Sequence, residues 1–172
     1  MELVSVFRPH VKYVNGLMKQ FDYPKNTFFS NPQHPVILFE GQEPNLGWER
    51  YCEAIFDICR RFGVQQIFFI GSVAGIVPHT RESRISCSIS NERLREKMKQ
   101  KGFRFADYEG PGSFMTYIMN QCTTMDLDMI ALVAEIPAYV QGYNPCCIET
   151  TLRCVSSLLE MHLEYDDLHK MA

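Results

Sequence analysis

The sequence contains no apolar run long enough to cross a bilayer as one helix. Its longest stretch without Asp, Glu, Lys or Arg runs from Phe62 to Thr80 and is broken by Gln65, Gln66, Gly71, Ser72, Gly75 and Pro78, so it cannot present a continuous lipid-facing surface. Excess positive charge is absent too. Lys and Arg number 17 against 20 Asp and Glu, a formal charge of −3, and no segment carries the basic patch that nucleic acid requires. Neither nucleic acid nor a membrane is expected as a partner. The N-terminal segment from Met1 to His10 lacks a basic start, a following apolar stretch and a small-residue cleavage site, and a cytoplasmic location is expected. Internal repeats, low-complexity tracts and linkers are missing as well.

The seven cysteines (Cys52, Cys59, Cys87, Cys122, Cys146, Cys147 and Cys154) include no Cys-x-x-Cys pair and no matching His spacing, which argues against a disulfide frame and a zinc site. They read as reduced thiols that pack like small apolar residues. His10, His34, His162 and His169 are scattered singly, so no metal is expected, and no cofactor is called for. What remains is ordinary globular usage, 172 residues with 46% hydrophobic and 22% charged, enough for one domain over residues 1–172 with a well-buried core.

Periodicity orders that domain. Residues 1–34 read as an extended arm or edge hairpin, punctuated by Pro9, Pro24 and Pro32, with strand-like patches at Val11 to Val14 and Thr27 to Phe29. His34 to Gly41 is a short apolar run bounded by Pro35 and Gly41, the pattern of a strand buried on both faces. Trp48, Tyr51, Cys52, Ile55, Ile58, Cys59 and Phe62 recur every three or four residues, which predicts an amphipathic helix ending at Gly63. A second buried strand follows over Gln66 to Ile70, and strand, helix, strand with short joints predicts a right-handed βαβ unit with parallel strands. The fold class is therefore α/β. Arg84 to Ser90 alternates as an exposed edge strand does. Ser90 or Asn91 is placed to cap a largely solvated helix to Lys101. Tyr108 to Gly112 is a turn, Ser113 caps a further helix, and Asp128 to Glu135 is a third buried strand stopped by Pro137. The last long helix has Asn144 as cap and Pro145 in first position, and is expected to bury Ile148, Leu152, Val155, Leu158 and Leu159.

In open α/β sheets, ligands bind beyond the carboxyl ends of the strands, which directs attention to three loops. The first carries Glu43 and Trp48, the second runs from Gly71 to Glu82, and the third carries Glu135, Pro137 and Tyr139 towards Asn144. In the second, Gly71 and Gly75 allow close backbone approach to an anion while Ser72, His79, Thr80 and Arg81 supply donors. It matches neither the Rossmann nor the P-loop pattern, so a phosphate or carboxylate cradle and a plain structural turn both fit. A triad of Ser72, His79 and Glu135 has the right residue types. However, Ile70 and Ala74 stand where the nucleophile elbow needs glycine. Cys146 and Cys147 sit in a helix's first turn, where the macrodipole lowers a thiol pKa, but no His lies within a few residues and packing is the stronger reading.

Taken together, Gly41-Gln42-Glu43-Pro44 with Trp48, Phe68-Phe69-Ile70-Gly71-Ser72 with Val77-Pro78-His79-Thr80-Arg81, Tyr108-Glu109-Gly110-Pro111, Glu135-Ile136-Pro137-Ala138-Tyr139 and Asn144-Pro145 resemble the family of the second proteasome assembly chaperone and its archaeal and bacterial relatives. The order and spacing match from about Arg8 to the end. The resemblance implies a three-layer α/β/α fold with a mostly parallel central sheet, similar to purine nucleoside phosphorylase, in proteins that act mainly by binding other proteins. It implies self-association into a homo-oligomer, and proteasome subunits as partners only where the host has proteasomes. Nothing resembles an ATP-grasp nucleotide site. Two departures stand out. The chain ends Lys170-Met171-Ala172 without the hydrophobic residue and penultimate tyrosine of α-ring-binding members. The family's opening βα unit is also missing ahead of the matched region, which is expected to leave a sheet edge in need of cover.

The sequence therefore reads as a non-catalytic, protein-binding member of that family, with Glu43, Trp48, Gly71, Ser72, Gly75, Pro78, His79, Thr80, Arg81, Glu135, Pro137, Tyr139 and Asn144 as candidate binding residues. The alternative is a small-molecule binding protein or enzyme that holds an anion or nucleoside-like ligand in the same loops.

Overall fold

Asn15 and Gly16 adopt left-handed backbone, with φ of 47° and 78°, and close a hairpin between β1 (His10–Val14) and β2 (Leu17–Asp22). An Asn-Gly pair of this kind gives the two-residue turn whose twist matches paired strands. A second hairpin joins β3 (Thr27–Asn31) to β4 (His34–Glu40), and across it the Phe28 and Phe39 rings stack at 4.5 Å. The computed structural model describes residues 10–23, 25–76, 83–139 and 144–169. The chain divides into two compact units, Met1–Ile58 and Cys59–Ala172. The β1–β2 hairpin falls within residues 1–34, read as an extended arm or edge hairpin, while the second hairpin takes in β4, and β4 departs from expectation. It is hydrogen-bonded antiparallel to β3 in a two-stranded sheet, with Leu38 63% exposed, and is not buried on both faces. An apolar run specifies a strand without specifying its neighbours, and the tight Asn31-to-His34 connection brings β3 alongside at lower loop-closure entropy than a crossover would. Helix α1 (Trp48–Phe62) runs over the predicted span, with Cys52 and Phe56 buried one turn apart.

The second unit is mixed α/β. Its sheet comprises β5 (Gln66–Gly75), β6 (Ile85–Ile89), β7 (Arg104–Phe105) and β8 (Asp128–Pro137) in the order β5-β8-β6-β7. The β5/β8 and β6/β7 pairs are parallel and β6/β8 is antiparallel. Two expectations are corrected. The parallel partner of β5 is β8, not β4, so the predicted βαβ pairing does not form. And β6 is not an edge strand: it lies between β8 and β7, with Cys87 fully buried. Its alternation reflects one face packed and one face partly open, which an interior strand of an antiparallel pair also shows. Strand β5 occupies the edge, is only half-buried, and continues through Gly75, so Gly71 to Gly75 is strand where a loop was expected.

Strand β8 is the core. Met129, Ile130, Ala131 and Leu132 are all fully buried, so both of its faces are covered over this stretch. Ile130 and Leu132 pack with Cys87, Leu158 of α4 (Pro145–Leu159), and Leu94 and Met98 from a 3-10 turn (Glu92–Leu94) and α2 (Arg95–Gln100). Helix α2 is therefore not simply a solvated element, since Leu94 and Met98, four apart, face the core together. Helix α3 (Phe114–Thr124) buries Phe114, Ile118 and Cys122 and begins with the expected cap: Ser113 accepts from the Thr116 backbone N–H and the Thr116 hydroxyl accepts from Ser113 N–H. Asn144 caps α4 by accepting from Cys147 N at 3.0 Å. The buried stripe of α4 is Cys147, Thr151 and Leu158, rotated from the predicted one. Thr151 is tolerated there because its hydroxyl donates to the Cys147 carbonyl at 2.8 Å. The chain continues into the short α5 (Asp166–His169). Among the described residues no helix is long and apolar enough to cross a membrane.

Ser90 and Asn91 do not cap α2 through their side chains. They hold the start of β8 instead. The Ser90 hydroxyl accepts from Met129 N at 2.8 Å and donates to the Leu127 carbonyl at 2.9 Å, and the Asn91 amide donates to Leu127 O and Asp128 Oδ1. Ser90→Ala strands a buried N–H and is expected to lower stability by about 1–3 kcal/mol. Leu132→Ala opens a cavity in the middle of the core and is expected to cost about 2–5 kcal/mol. Both are read from urea unfolding midpoints, and a Ser90→Ala loss below about 0.5 kcal/mol contradicts this account of the Ser90 bridge.

Candidate functional site

The candidate residues fall in both units. In the first, the loop after β4 is tied down by groups converging on Gly41. The Tyr51 hydroxyl donates within its pair with Asn26 Oδ1, at 2.8 Å, and lies 3.0 Å from the Gln42 carbonyl. The Phe39 ring meets Tyr51 edge-on at 6.2 Å. A Cβ on Gly41 would come within 2.5 Å of the Tyr51 hydroxyl, 2.6 Å of Phe39 and 2.7 Å of Asn26, so the close approach depends on glycine. Three residues on, Pro44 is fully buried and its carbonyl accepts from the Trp48 indole at 2.6 Å. The Gly-Gln-Glu-Pro…Trp motif thus folds into a clamp between loop and helix that presents Glu43 at the surface.

In the second unit, β5 and β8 run parallel to their carboxyl ends, pairing Ser72 with Ala134, Val73 with Glu135 and Gly75 with Pro137. Ala138 N donates to the Gly75 carbonyl at 3.0 Å and Glu135 N to the Arg84 carbonyl at 2.8 Å. The Glu135 side chain lies across Gly75, where a Cβ would stand 2.3 Å from Oε1. The Phe69 ring covers Gly71 in the same way, 2.6 Å from its Cβ position. Pro137 is buried, Tyr139 is 61% exposed and Asn144 is engaged in its cap. Pro78, His79, Thr80 and Arg81 lie outside the described residues.

This arrangement alters the chemistry that the sequence allowed. Gly71 and Gly75 are strand residues covered by a ring and a carboxylate, not open turns of an anion cradle, and a carboxylate repels the anion it would face. Opposite residues share a face of the sheet and neighbours alternate, so Glu135, opposite Val73, lies on the other face from Ser72. Those two cannot serve one triad. No group of three or more His, Cys, Asp or Glu is placed to hold a metal among the described residues. All seven cysteines are free thiols: Cys146 is exposed, Cys147 is buried beside the α4 cap, and burial pushes the Cys87 thiol up to about 11.

Two features were beyond the spacing argument. Tyr51 is legible as part of an apolar stripe, yet its hydroxyl, which joins loop to helix, is not. Arg93 donates to Asp126 Oδ1 at 2.6 Å, to the Asp126 carbonyl at 2.8 Å and to Asp128 Oδ1 at 2.8 Å, locking the entry to β8. No local motif marks that pairing.

Comparison with known proteins bears on what such a surface does. The model of the PAC2 family matches residues 2–172. Among solved structures, a PAC2 family protein from Streptomyces avermitilis is 24% identical, with a TM-score of 0.82 over 97% of this chain and 72% of that one. A proteasome-assembly chaperone homologue from Mycobacterium tuberculosis is 21% identical, with a TM-score of 0.80 over 96% of this chain and 74% of that one. PbaB from Pyrococcus furiosus, an archaeal proteasome activator, is 16% identical, with a TM-score of 0.71 over 95% and 72%. At these identities the structures speak for the fold alone. No curated protein matches the sequence.

The packing at Gly75 and Cys87 yields two expectations. Gly75→Ala forces Glu135 out of its position at a cost of about 1–3 kcal/mol, and Glu135→Ala in the same chain restores most of that loss. A double-mutant cycle showing additivity contradicts the contact. Because the Cys87 pKa is raised from its ordinary 9.0 to about 11, the stability that the protonated buried thiol contributes is fully present below pH 9. It declines as pH rises through about 11. Cys87→Ala removes this decline, as read from unfolding midpoints between pH 8 and 11.

Proposed function

The chain belongs to the PAC2 family, and on that premise we propose that it works without catalysis, by binding other proteins and by self-association, as an assembly chaperone does. The observation that carries this reading is the family match over residues 2–172. The site geometry is consistent with it. Ser72 and Glu135 are on opposite faces, a carboxylate sits where an anion cradle would be, and Tyr139 and Glu43 present groups of the kind that make surface contacts. Relatives include a proteasome-assembly chaperone homologue and an archaeal proteasome activator, so a proteasome subunit is the partner in a host that has proteasomes. The candidate contact residues are Glu43 and Trp48 in the first unit and, separately, Glu135, Pro137, Tyr139 and Asn144 in the second, with Pro78 to Arg81 proposed from the sequence alone.

For the second unit, the covering of β8 on both faces supports the three-layer α/β/α arrangement of nucleoside phosphorylases, here serving as a scaffold for contacts. A cytoplasmic location fits a set of free thiols in a reducing compartment.

The test is capture on immobilised chain, competed by free chain and identified by mass spectrometry, with Tyr139→Ser run in parallel. The expected outcome is a protein partner whose recovery falls about tenfold or more with Tyr139→Ser, the loss of one interface anchor. Turnover of a nucleoside or nucleotide by the isolated chain, with no competed partner, overturns the proposal.

A further inference from the structure

The chain turns back on itself at the end of α4. Glu160 takes left-handed backbone, with φ of 53°, the Met161 N–H donates to the Ser156 carbonyl at 3.1 Å, and the Ser156 hydroxyl donates to the Met161 carbonyl. From there residues 161–165 carry no strand pairing and lead into the four-residue α5. Met161, Leu163 and Tyr165 are half-buried and alternate with exposed His162 and Glu164, so the stretch lies down along one side. Yet no residue from Met161 to Leu168 is fully buried. One anchor is on α4. The Tyr165 ring lies over the Arg153 guanidinium at 4.5 Å, and Glu149, one turn earlier, holds that guanidinium through two hydrogen bonds of 2.9 and 2.6 Å.

Glu149, Arg153 and Ser156 share one face of α4, opposite the buried stripe of Cys147, Thr151 and Leu158. Departure of the segment from that face therefore leaves the packing of α4 on the core intact. A four-residue helix does not sustain itself in water, so α5 depends on what holds it to α4. Charge sharpens the dependence. From Glu149 to Leu168 there are five carboxylates, on Glu149, Glu160, Glu164, Asp166 and Asp167, and Arg153 is the one Lys or Arg. Lys101, arriving from the end of α2, is bonded to the Ser157 carbonyl at 2.7 Å. We propose that Met161 to Leu168 is a strap that opens from α4 as one unit, without unfolding of α4 or the sheet, and that Arg153, fixed by Glu149 and covered by Tyr165, is its latch. A segment short of buried apolar contacts belongs to the low-stability end of a structure, where local opening precedes global unfolding. Loss of the Arg153 guanidinium acts twice. It removes the stacking partner of Tyr165, and it leaves Glu149 beside an acidic strap with no cation between them.

Thiol labelling of the full chain, resolved site by site by mass spectrometry after digestion, tests this. Leu163→Cys places a thiol at a half-buried point of the strap, and the buried Cys147 of α4 and Cys87 of β6 serve as controls in the same molecule. The introduced thiol is expected to react well before either control. Adding Arg153→Gln is expected to raise its rate about threefold or more, the loss of an exposed cation–π contact, with the rates at Cys147 and Cys87 and the urea midpoint unchanged. Tyr165→Leu is expected to give a similar rise, and its combination with Arg153→Gln little more, because the two substitutions remove one interaction. An introduced thiol that reacts no faster than Cys147 and Cys87 overturns the strap, as does a rise that Cys147 shares. A rate indifferent to Arg153→Gln, or full additivity with Tyr165→Leu, overturns the latch.

Discussion

The burial of β8 is the constraint on which the second unit depends. A strand whose neighbouring residues Met129 to Leu132 are all without solvent contact must have helices or further chain over both faces and a strand on each side, because every backbone group taken out of water needs a partner. Strands β5 and β6 supply the two sides. The residues at the entry to β8 are correspondingly over-determined. Ser90, Asn91 and Arg93, all from the β6-to-α2 connection, hold Leu127, Asp126, Asp128 and Met129 through seven hydrogen bonds of 2.6 to 3.1 Å. Register is fixed at that end, and a one-residue slip would exchange the buried face for the other. The pairing of Glu135 with Val73 at the far end follows from it.

How much of this was legible depends on how far the deciding interaction reaches along the chain. The Ser113 cap, the Asn144-Pro145 helix start, the stripe of α1 and the apolar run of β8 are each set by groups within a few residues, and each lies where periodicity and cap chemistry put it. Partner choice is different. The apolar run Val36 to Phe39 does not itself say that β4 turns back onto β3, which the adjoining Asn31-to-His34 connection decides, and nothing near Ile67 to Ile70 says that β5 takes as its neighbour β8, about sixty positions away. The Asn15-Gly16 pair is the exception, a local hairpin signal that apolar periodicity does not weigh.

The candidate site shows the same division in chemical terms. Glycines at 71 and 75 with a serine between them have the composition of a phosphate loop, and composition alone cannot distinguish that from a strand whose glycines leave room for neighbouring side chains. The distinction is made by Phe69 and Glu135, which occupy the space above the two glycines. The motif that includes Gly41 resolves likewise. Its glycine accommodates Tyr51, Phe39 and Asn26, so residues that mark the family are first of all residues that shape a loop, and the groups left facing solvent, Glu43 among them, are the smaller part.

The parallel pairing of Gln66 with Asp128 also orders events in time. The hairpins of the first unit close over two or a few residues and can form as soon as they leave the ribosome, whereas β5 has no partner in its own sheet until β8 has been synthesised, more than sixty residues later. Contacts of such sequence separation form slowly. During that interval an uncharged, proline-free strand waits without its β8 partner, so the nascent second unit is most exposed to aggregation in the window between synthesis of β5 and arrival of β8.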